Sequence, residues 1–298
     1  MTKIDIHADD YGYSLAVSRD ILECMKAGCL DSISIICNTS YFEQSMALLY
    51  ENIPFLPFLP KISIHLDLPE GLHGQNGLPM SWGKLFIKSY MPGRNRLKEI
   101  LKSDLRNQIK KTQPVIDKCI EIAKENNVEY GQHGIRLDSH VHTHLIPVVW
   151  DAMSEVIAED HLNIEFIRNP KEPIMPFLNH VSLWKTYSLI NIVKNRILMF
   201  YSGKADRYAK KESMNRMYMW GLVMSGHMDY DRIQKVYPQM LKKAQDDNRD
   251  LEILLHPGKA EKDEFDDSMD KGNFDGFSSS DNRHVEKDAV LRIRNITN

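Results

Sequence analysis

The stretch IHADDYG, residues 6–12, sets Asp9 and Asp10 side by side at the end of an apolar run, just before Tyr11 and Gly12. Adjacent carboxylates repel, and the cost rises wherever they are partly buried. A divalent cation would remove most of that cost. One carboxylate can ligate the ion while the other, unbound, accepts a proton from a water whose pKa the ion lowers. Side chains alternate across a strand, so the two share a site only if the strand ends there and the chain turns, which Gly12 permits. The plainer alternative is an N-cap followed by a solvated aspartate.

A second cluster, LDSHVHTH (137–144), places His140, His142 and His144 at alternate positions after Asp138. In a strand the three would point to one face. Three imidazoles side by side are unfavourable in a plain core, so metal binding or acid/base work explains them better. One aspartate with two histidines would leave coordination positions open, as catalytic metal sites do. His256, in LLHPG (254–258), is placed to act as a general acid, because imidazole titrates near neutral pH. A strand-terminating turn explains Pro257 and Gly258 equally well.

These groups need elements that bring them together. KIDIHA, SISIIC, KISIHL, HGIRLDSHVH, NIEFIR and LEILLH read as strands, alternating with longer helix-compatible stretches, which argues for parallel βα units in an α/β fold. SLAVSRDILECMKAG reads as the first crossover helix, with Ser14 as N-cap and Gly28 at its end. Polar groups then fall at the strand C-termini: Asp9 and Asp10, His65 and Asp67, Asp138 with the histidine triplet, Arg168, and His256. In parallel α/β folds those ends converge on one face. Alone, His65 reads as a hydrogen-bonded core residue, as do His7, His73, His133, His161, His180, His227 and His284.

Three segments interrupt the rhythm. Residues 69–95 are rich in Gly and Pro, 170–230 carry helical patterns such as MNRMYMWGLVM, and 259–284 are acidic and rich in Gly and Ser. No repeat or linker divides the 298 residues, so one domain, 1–298, with decorated loops is expected.

With 42% hydrophobic residues the chain can bury a sizeable core, and a net charge of -3 with no basic block argues against nucleic-acid or membrane partners. Nothing resembles a signal peptide or a membrane span, so a cytoplasmic protein is expected. Cys24, Cys29, Cys37 and Cys119 lack C-x-x-C spacing and are read as reduced and buried.

Taken in order, HADDYG, SIHLDL, LDSHVHTHLIP, FIRNP and EILLHPG resemble the YdjC-like carbohydrate deacetylases, over a span from Lys3 to about His256. The resemblance implies a (β/α) barrel-like fold and a divalent metal, usually magnesium, with zinc plausible. It implies that Asp10, His65 and His140 are the ligands, Asp9 the general base, and His256 the general acid. Arg168 would be the charge partner of Asp9 or a substrate clamp. Asp138, His142 and His144 would orient the ligands or face substrate. The chain departs from the family in its long 170–230 and 259–284 segments, and in His7, where relatives often carry asparagine.

The function so implied is hydrolysis of an N-acetyl group from a small amino-sugar, such as a chitin-derived N-acetylglucosamine oligomer. Trp82, Tyr90, Trp184 and Trp220 are candidates to stack on sugar faces, although core or loop packing explains each of them at least as well. Two other classes remain open: a metal-dependent phosphoesterase, and a non-catalytic sugar-binding protein. A homodimer is an open assembly.

Overall fold

A computed structural model describes residues 2–68, 81–265, 269 and 271–297. His73 and parts of the 69–95 and 259–284 segments lie outside the described residues. Strand β1 (Ile4–Tyr11) runs through helix α1 (Leu15–Lys26) to β2 (Ser32–Ile35), then α2 (Phe42–Asn52). The two-residue β3 (Phe58–Leu59) precedes β4 (Lys61–Leu66), and α3 (Trp82–Lys88) precedes the long α4 (Arg94–Glu125). There follow β5 (Glu129–Tyr130), β6 (Ile135–Ser139), α5 (Pro147–Glu159), β7 (Ile164–Ile167), α6 (Met175–Leu178) and α7 (Leu189–Lys211). The chain closes with β8 (Met217–Trp220), α8 (Tyr230–Asp246), β9 (Asp250–Leu255), α9 (Lys271–Asn273), α10 (Asn282–Arg292) and α11 (Arg294–Thr297). No helix among the described residues is long and apolar enough to cross a membrane.

Seven strands form one parallel sheet, in the order β7-β6-β4-β2-β1-β9-β8, curled into a half-barrel and surrounded by helices; β3 and β5 pair separately. The expected α/β barrel-like fold is the observed one. Helix α1 begins as its sequence predicts: the Ser14 hydroxyl accepts from the Val17 N–H at 3.2 Å, and Gly28 ends the turn at φ +69°. Its Val17, Ile21, Leu22 and Met25 are buried, which contributes roughly 1.5–3 kcal/mol for each side chain.

The two faces of the sheet differ in chemistry. Ile6, Ala8, Ile33, Ile62 and Ile64 are fully buried on one face. Alternate positions Asp5, His7 and Asp9 lie on the other, beside Ser32, Ser34, His65, Asp138 and Glu252. Barrel interiors are ordinarily packed with branched apolar side chains. Here the interior is a buried polar network.

The aspartate pair shares a site through a β-bulge. Ala8 pairs with Ile33 and Tyr11 with Ile35, so three steps of β1 oppose two of β2. Asp10 takes up the extra residue at φ +73°, a left-handed conformation that costs a non-glycine residue roughly 1–2 kcal/mol. The strand therefore continues past the pair to Tyr11. Gly12 follows at φ +94°, where an added Cβ would come 2.7 Å from the Ile36 carbonyl oxygen. We expect Gly12→Ala to lower unfolding free energy by at least ~2 kcal/mol in denaturant titration, because strain and clash add.

Two expectations need correction. The strand after GIRL stops at Ser139, and residues His140–Leu145 form a 3-10 turn with Val141 at φ 47° and His142 at φ 59°. Alternation therefore fails, and the three histidines diverge. The segment 170–230, read as helical around MNRMYMWGLVM, instead contributes β8 to the sheet beside β9. Short runs of buried Met, Tyr and Trp satisfy both periods, and here tertiary pairing decides.

Candidate active site and metal centre

Strand C-termini deliver the site. Asp10 Oδ2 accepts from Arg283 Nη2 at 3.0 Å, while its Oδ1, though buried, has no hydrogen-bond partner among the described residues. That free oxygen lies 3.7 Å from His65 Nε2 and 3.5 Å from His140 Nδ1. Three donor atoms within 4.8 Å of one another could hold a metal ion. The spacings are close to the ~3.4 Å that separates ligands around a tetrahedral ion with ~2.1 Å bonds. An orphaned carboxylate oxygen facing two imidazole nitrogens fits a cation better than it fits a closed hydrogen-bond network.

Asp138 sets the orientation of His65. The two are register partners across β4 and β6, and Asp138 Oδ1 meets His65 Nδ1 at 2.6 Å. Nε2 is thereby left for Asp10, the arrangement that a carboxylate imposes on a ligating imidazole. Burial would lower the pKa of His65, but the charges of Asp9 and Asp138 overrule it and push the ring up to about 9. The raised value has a sign for stability. Charged His65 stabilises the metal-free fold fully below its unfolded pKa of 6.5, and that contribution is lost as pH rises through about 9. Thermal melts of the chelated protein should lose stability over this window, on the order of 3 kcal/mol.

Asp9 faces the same cavity from the other side of the bulge. Arg168, fully buried just beyond β7, donates Nη2 to Asp9 Oδ1 at 2.9 Å and Nη1 to Oδ2 at 3.0 Å. Burial would raise the Asp9 carboxyl, yet Arg168, with His65 and His7, holds it well below the usual carboxylate range. Arg168 also reaches Glu252 at 2.9 Å and Asp138 at 3.2 Å, so one guanidinium serves three carboxylates. This fork geometry is one that lysine cannot reproduce.

His256 stands opposite, its Nε2 4.0 Å from Asp9 Oδ2. Two residues that the sequence reading missed hold it there. Glu286 accepts from the His256 backbone N–H at 2.7 Å and lies 3.5 Å from Nδ1; Arg283 donates to the His256 carbonyl at 3.2 Å. Burial would raise the Glu286 carboxyl, but His256 and Arg283 carry it below its ordinary value. Arg283 and Glu286 sit three apart on α10, one helical face, and that spacing was the available signal.

The remaining histidines separate. His142 lines the cavity with an Nδ1 that has no hydrogen-bond partner among the described residues, and burial lowers its pKa. His144 faces away: its Nε2 meets the Arg168 carbonyl at 2.8 Å and its Nδ1 the Ser139 hydroxyl at 2.6 Å, which ties the turn to β7. Asp67 does not line the cavity: its backbone N–H donates to Gln108 of α4, and its buried carboxyl, near Asp104, His65 and Asp10, is pushed well above the usual range by burial and by the charge of Asp104. Of the aromatics, Trp82 lines the cavity, Tyr90 pairs with Tyr201, Trp184 donates to the Leu178 carbonyl, and Trp220 is fully buried and cannot stack on a ligand. The cysteines are free and buried. The cavity itself measures about 90 Å³, with Leu198, Leu222, Leu254 and Phe277 among its walls.

The profile of the YdjC-like protein family matches residues 3–119 and 125–292. A carbohydrate deacetylase from Danio rerio is 24% identical over 177 residues, 59% of this chain and 52% of that one. A carbohydrate deacetylase from Clostridium beijerinckii is 23% identical over 266 residues, covering 86% of this chain and 81% of that one. The match thus spans about half the length of the fish relative. Among solved structures, a candidate cellobiose-phosphate cleavage protein from Enterococcus faecalis V583 superposes with a TM-score of 0.52 at 16% identity, over 97% of this chain and 90% of that one. At that identity the likeness speaks to the fold.

Proposed function

The chain belongs to the YdjC-like family, and from that premise we propose that it is a carbohydrate deacetylase, a single catalytic domain that hydrolyses an N-acetyl group from a small amino-sugar. The observation that carries this reading is the orphaned Asp10 oxygen, facing His65 and His140 beside an aspartate clamped by arginine. The substrate we favour is a chitin-derived N-acetylglucosamine oligosaccharide.

Asp10, His65 and His140 would hold a divalent cation, whose chemistry when bound is to polarise the acetamide carbonyl and lower the pKa of the attacking water. Magnesium follows from the family resemblance, while two imidazole donors suit zinc. Asp9, kept ionised by Arg168, takes the water proton. A carboxylate held so far down is a feeble base towards free water, so it can act only where water is already acidified. His256 donates a proton to the departing amine; Glu286 on its Nδ1 side leaves Nε2 towards Asp9, 4.0 Å away, and both residues line the cavity in which the scissile group would lie. His142 offers its unpartnered nitrogen to substrate. A cavity of about 90 Å³ has room for about three waters. It suits an acetamido group, with the leucines packing the methyl and the sugar ring at the mouth near Asn191 and Lys194.

The test is the product. Mono- and di-N-acetylated sugars, with and without a 6-phosphate, should yield acetate in the presence of magnesium, zinc or manganese, and a chelator should abolish the yield. Release of phosphate without acetate would replace this reading with a phosphoesterase. Sugar binding without turnover, unchanged in Asp9→Asn, would leave a binding protein.

A further inference from the structure

A buried carboxylate outside the catalytic set ties two walls of the cavity together. Glu172, fully buried in the connection between β7 and α6, turns both of its oxygens to hydrogen-bond donors. Oε1 accepts from the backbone N–H groups of Gly221 at 2.8 Å and Leu222 at 3.0 Å, and Oε2 from that of Val223 at 2.9 Å. The side-chain amide of Asn195, in α7, donates to the same Oε2 at 3.1 Å and to the Glu172 carbonyl at 2.9 Å. Burial pushes the Glu172 carboxyl up to about 7 against the pull of these donors.

The segments so joined supply pocket lining. Gly221 and Leu222, just past β8, line the cavity, as do Asn191, Lys194 and Leu198 of α7. Asn195 is four residues from Asn191 and three from Leu198, so its amide fixes that helical face. Gly221 packs so closely on β9 that an added Cβ would run into the Leu254 carbonyl oxygen, which seats the β8 end on the sheet. What is left to set is how near α7 comes to it. Resting on the reading of this cavity as the acetamido pocket, we propose that Glu172 sets its size, holding α7 against the end of β8 at a spacing that admits an acetyl group and shuts out longer N-acyl chains. Glu172 does not itself line the cavity; it is a positioning residue that acts through Leu222 and Leu198.

The chemistry of the seat calls for a carboxylate. Ionised, it only accepts, and it meets N–H donors on both oxygens through short, charge-assisted bonds. In Glu172→Gln the side-chain amide has hydrogens to give on one side. Turned one way it faces the N–H groups of Gly221 and Leu222, turned the other it faces Val223 and the Asn195 amide, so part of the seat must open. A close-walled apolar pocket discriminates one methylene by about 10–200-fold. Walls that can yield lose part of that discrimination, and they lose it in favour of the longer chain.

The test compares an N-acetylglucosamine disaccharide with its N-propionyl analogue, using the full chain with zinc or manganese at pH 8, where Glu172 is ionised. Wild type should favour acetyl in kcat/KM by at least about tenfold; equal use of both would overturn the proposal. Glu172→Gln should raise the propionyl-to-acetyl ratio by about tenfold, with propionate release at or above its wild-type rate. Asn195→Ala frees α7 but leaves the end of β8 on its carboxylate. It should shift the ratio the same way by a smaller factor, and it carries the test if Glu172→Gln does not fold. Equal loss on both substrates, or no change on either, would overturn the proposal, because a residue that only stabilises the fold leaves the ratio alone. Leu222→Ala enlarges the cavity directly and should also raise the ratio; an unchanged ratio there would put the acyl group elsewhere and overturn the proposal while deacetylation stands. If wild-type protein releases no acetate from any acetylated sugar, the functional reading fails and the acyl pocket with it.

Discussion

Asp9→Asn is expected to reduce acetate release by on the order of 10³-fold while the protein still binds its metal. General-base catalysis contributes about 10²–10⁴ in rate, so a loss near the middle of that range, ~4 kcal/mol of transition-state stabilisation, is the natural expectation. The substitution is nearly isosteric, and the ligand set Asp10, His65 and His140 is left in place. Arg168 keeps Asp138 and Glu252 as partners, so no cation is stranded. Titration calorimetry with zinc or manganese should give an affinity within a few-fold of wild type, beside a kcat that has collapsed. Equal loss of both would mean that Asp9 holds the ion, and would reverse the roles given to the two aspartates. His256→Ala should lose less, since an amine that departs from an oxyanion stabilised elsewhere can still be protonated by water.

Much of the fold and of the residues that meet at the strand ends is legible in the sequence alone, and what is not has physical reasons. Six strands of the sheet announced themselves by apolar runs bounded by turns, and the Ser14 cap and Gly28 marked the first helix. Convergence of Asp9, Asp10, His65, His140, Arg168 and His256 followed from one rule about strand ends. The rule says nothing about bulges. The sequence reading had the aspartate pair share a site because β1 stopped and Gly12 turned; the chain instead keeps pairing and stores the turn in a left-handed Asp10. The histidine triplet was misread for the same reason: alternation assumes extended backbone, and Val141 and His142 abandon it. His144 then spends both nitrogens on local contacts, one of them a backbone carbonyl, which no side-chain pattern reveals. Arg283 and Glu286 were visible only as charges three apart on a helix, a common surface pattern, and only packing shows that they are buried. The alternation Asp5, His7, Asp9 was visible in the first ten residues. It was passed over because a lone core histidine is ordinary, and what makes this one unusual is the company of Ser32 and Ser34 from the next strand.

Arg168→Leu should be the most damaging single substitution for stability, and the contribution of Asp9 and Asp138 to the pH dependence should change sign. The leucine fills much of the volume but leaves Asp9, Asp138 and Glu252 buried without their shared cation. Breaking a buried pair in this way costs about 3–5 kcal/mol, a large share of the 5–15 kcal/mol that holds a typical domain folded. In the wild type, burial alone would raise the Asp9 and Asp138 carboxyls, but Arg168 carries both below 3.8, Asp138 to about 2. Their contribution is present above the unfolded carboxylate value and is lost as pH falls through the depressed one. Without Arg168, burial is opposed only by His65 and His7, and the folded values are expected to rise past the unfolded ones. The folded state then binds more protons than the unfolded chain, so stability falls as pH rises. Denaturant midpoints at pH 5 and pH 8 should therefore show the variant gaining on acidification over a range in which wild-type Asp9 and Asp138 contribute no change. Arg168→Lys separates charge from geometry. It restores a cation and with it most of the stability, but not the two parallel N–H donors that aim Asp9, so activity should stay low in a folded protein.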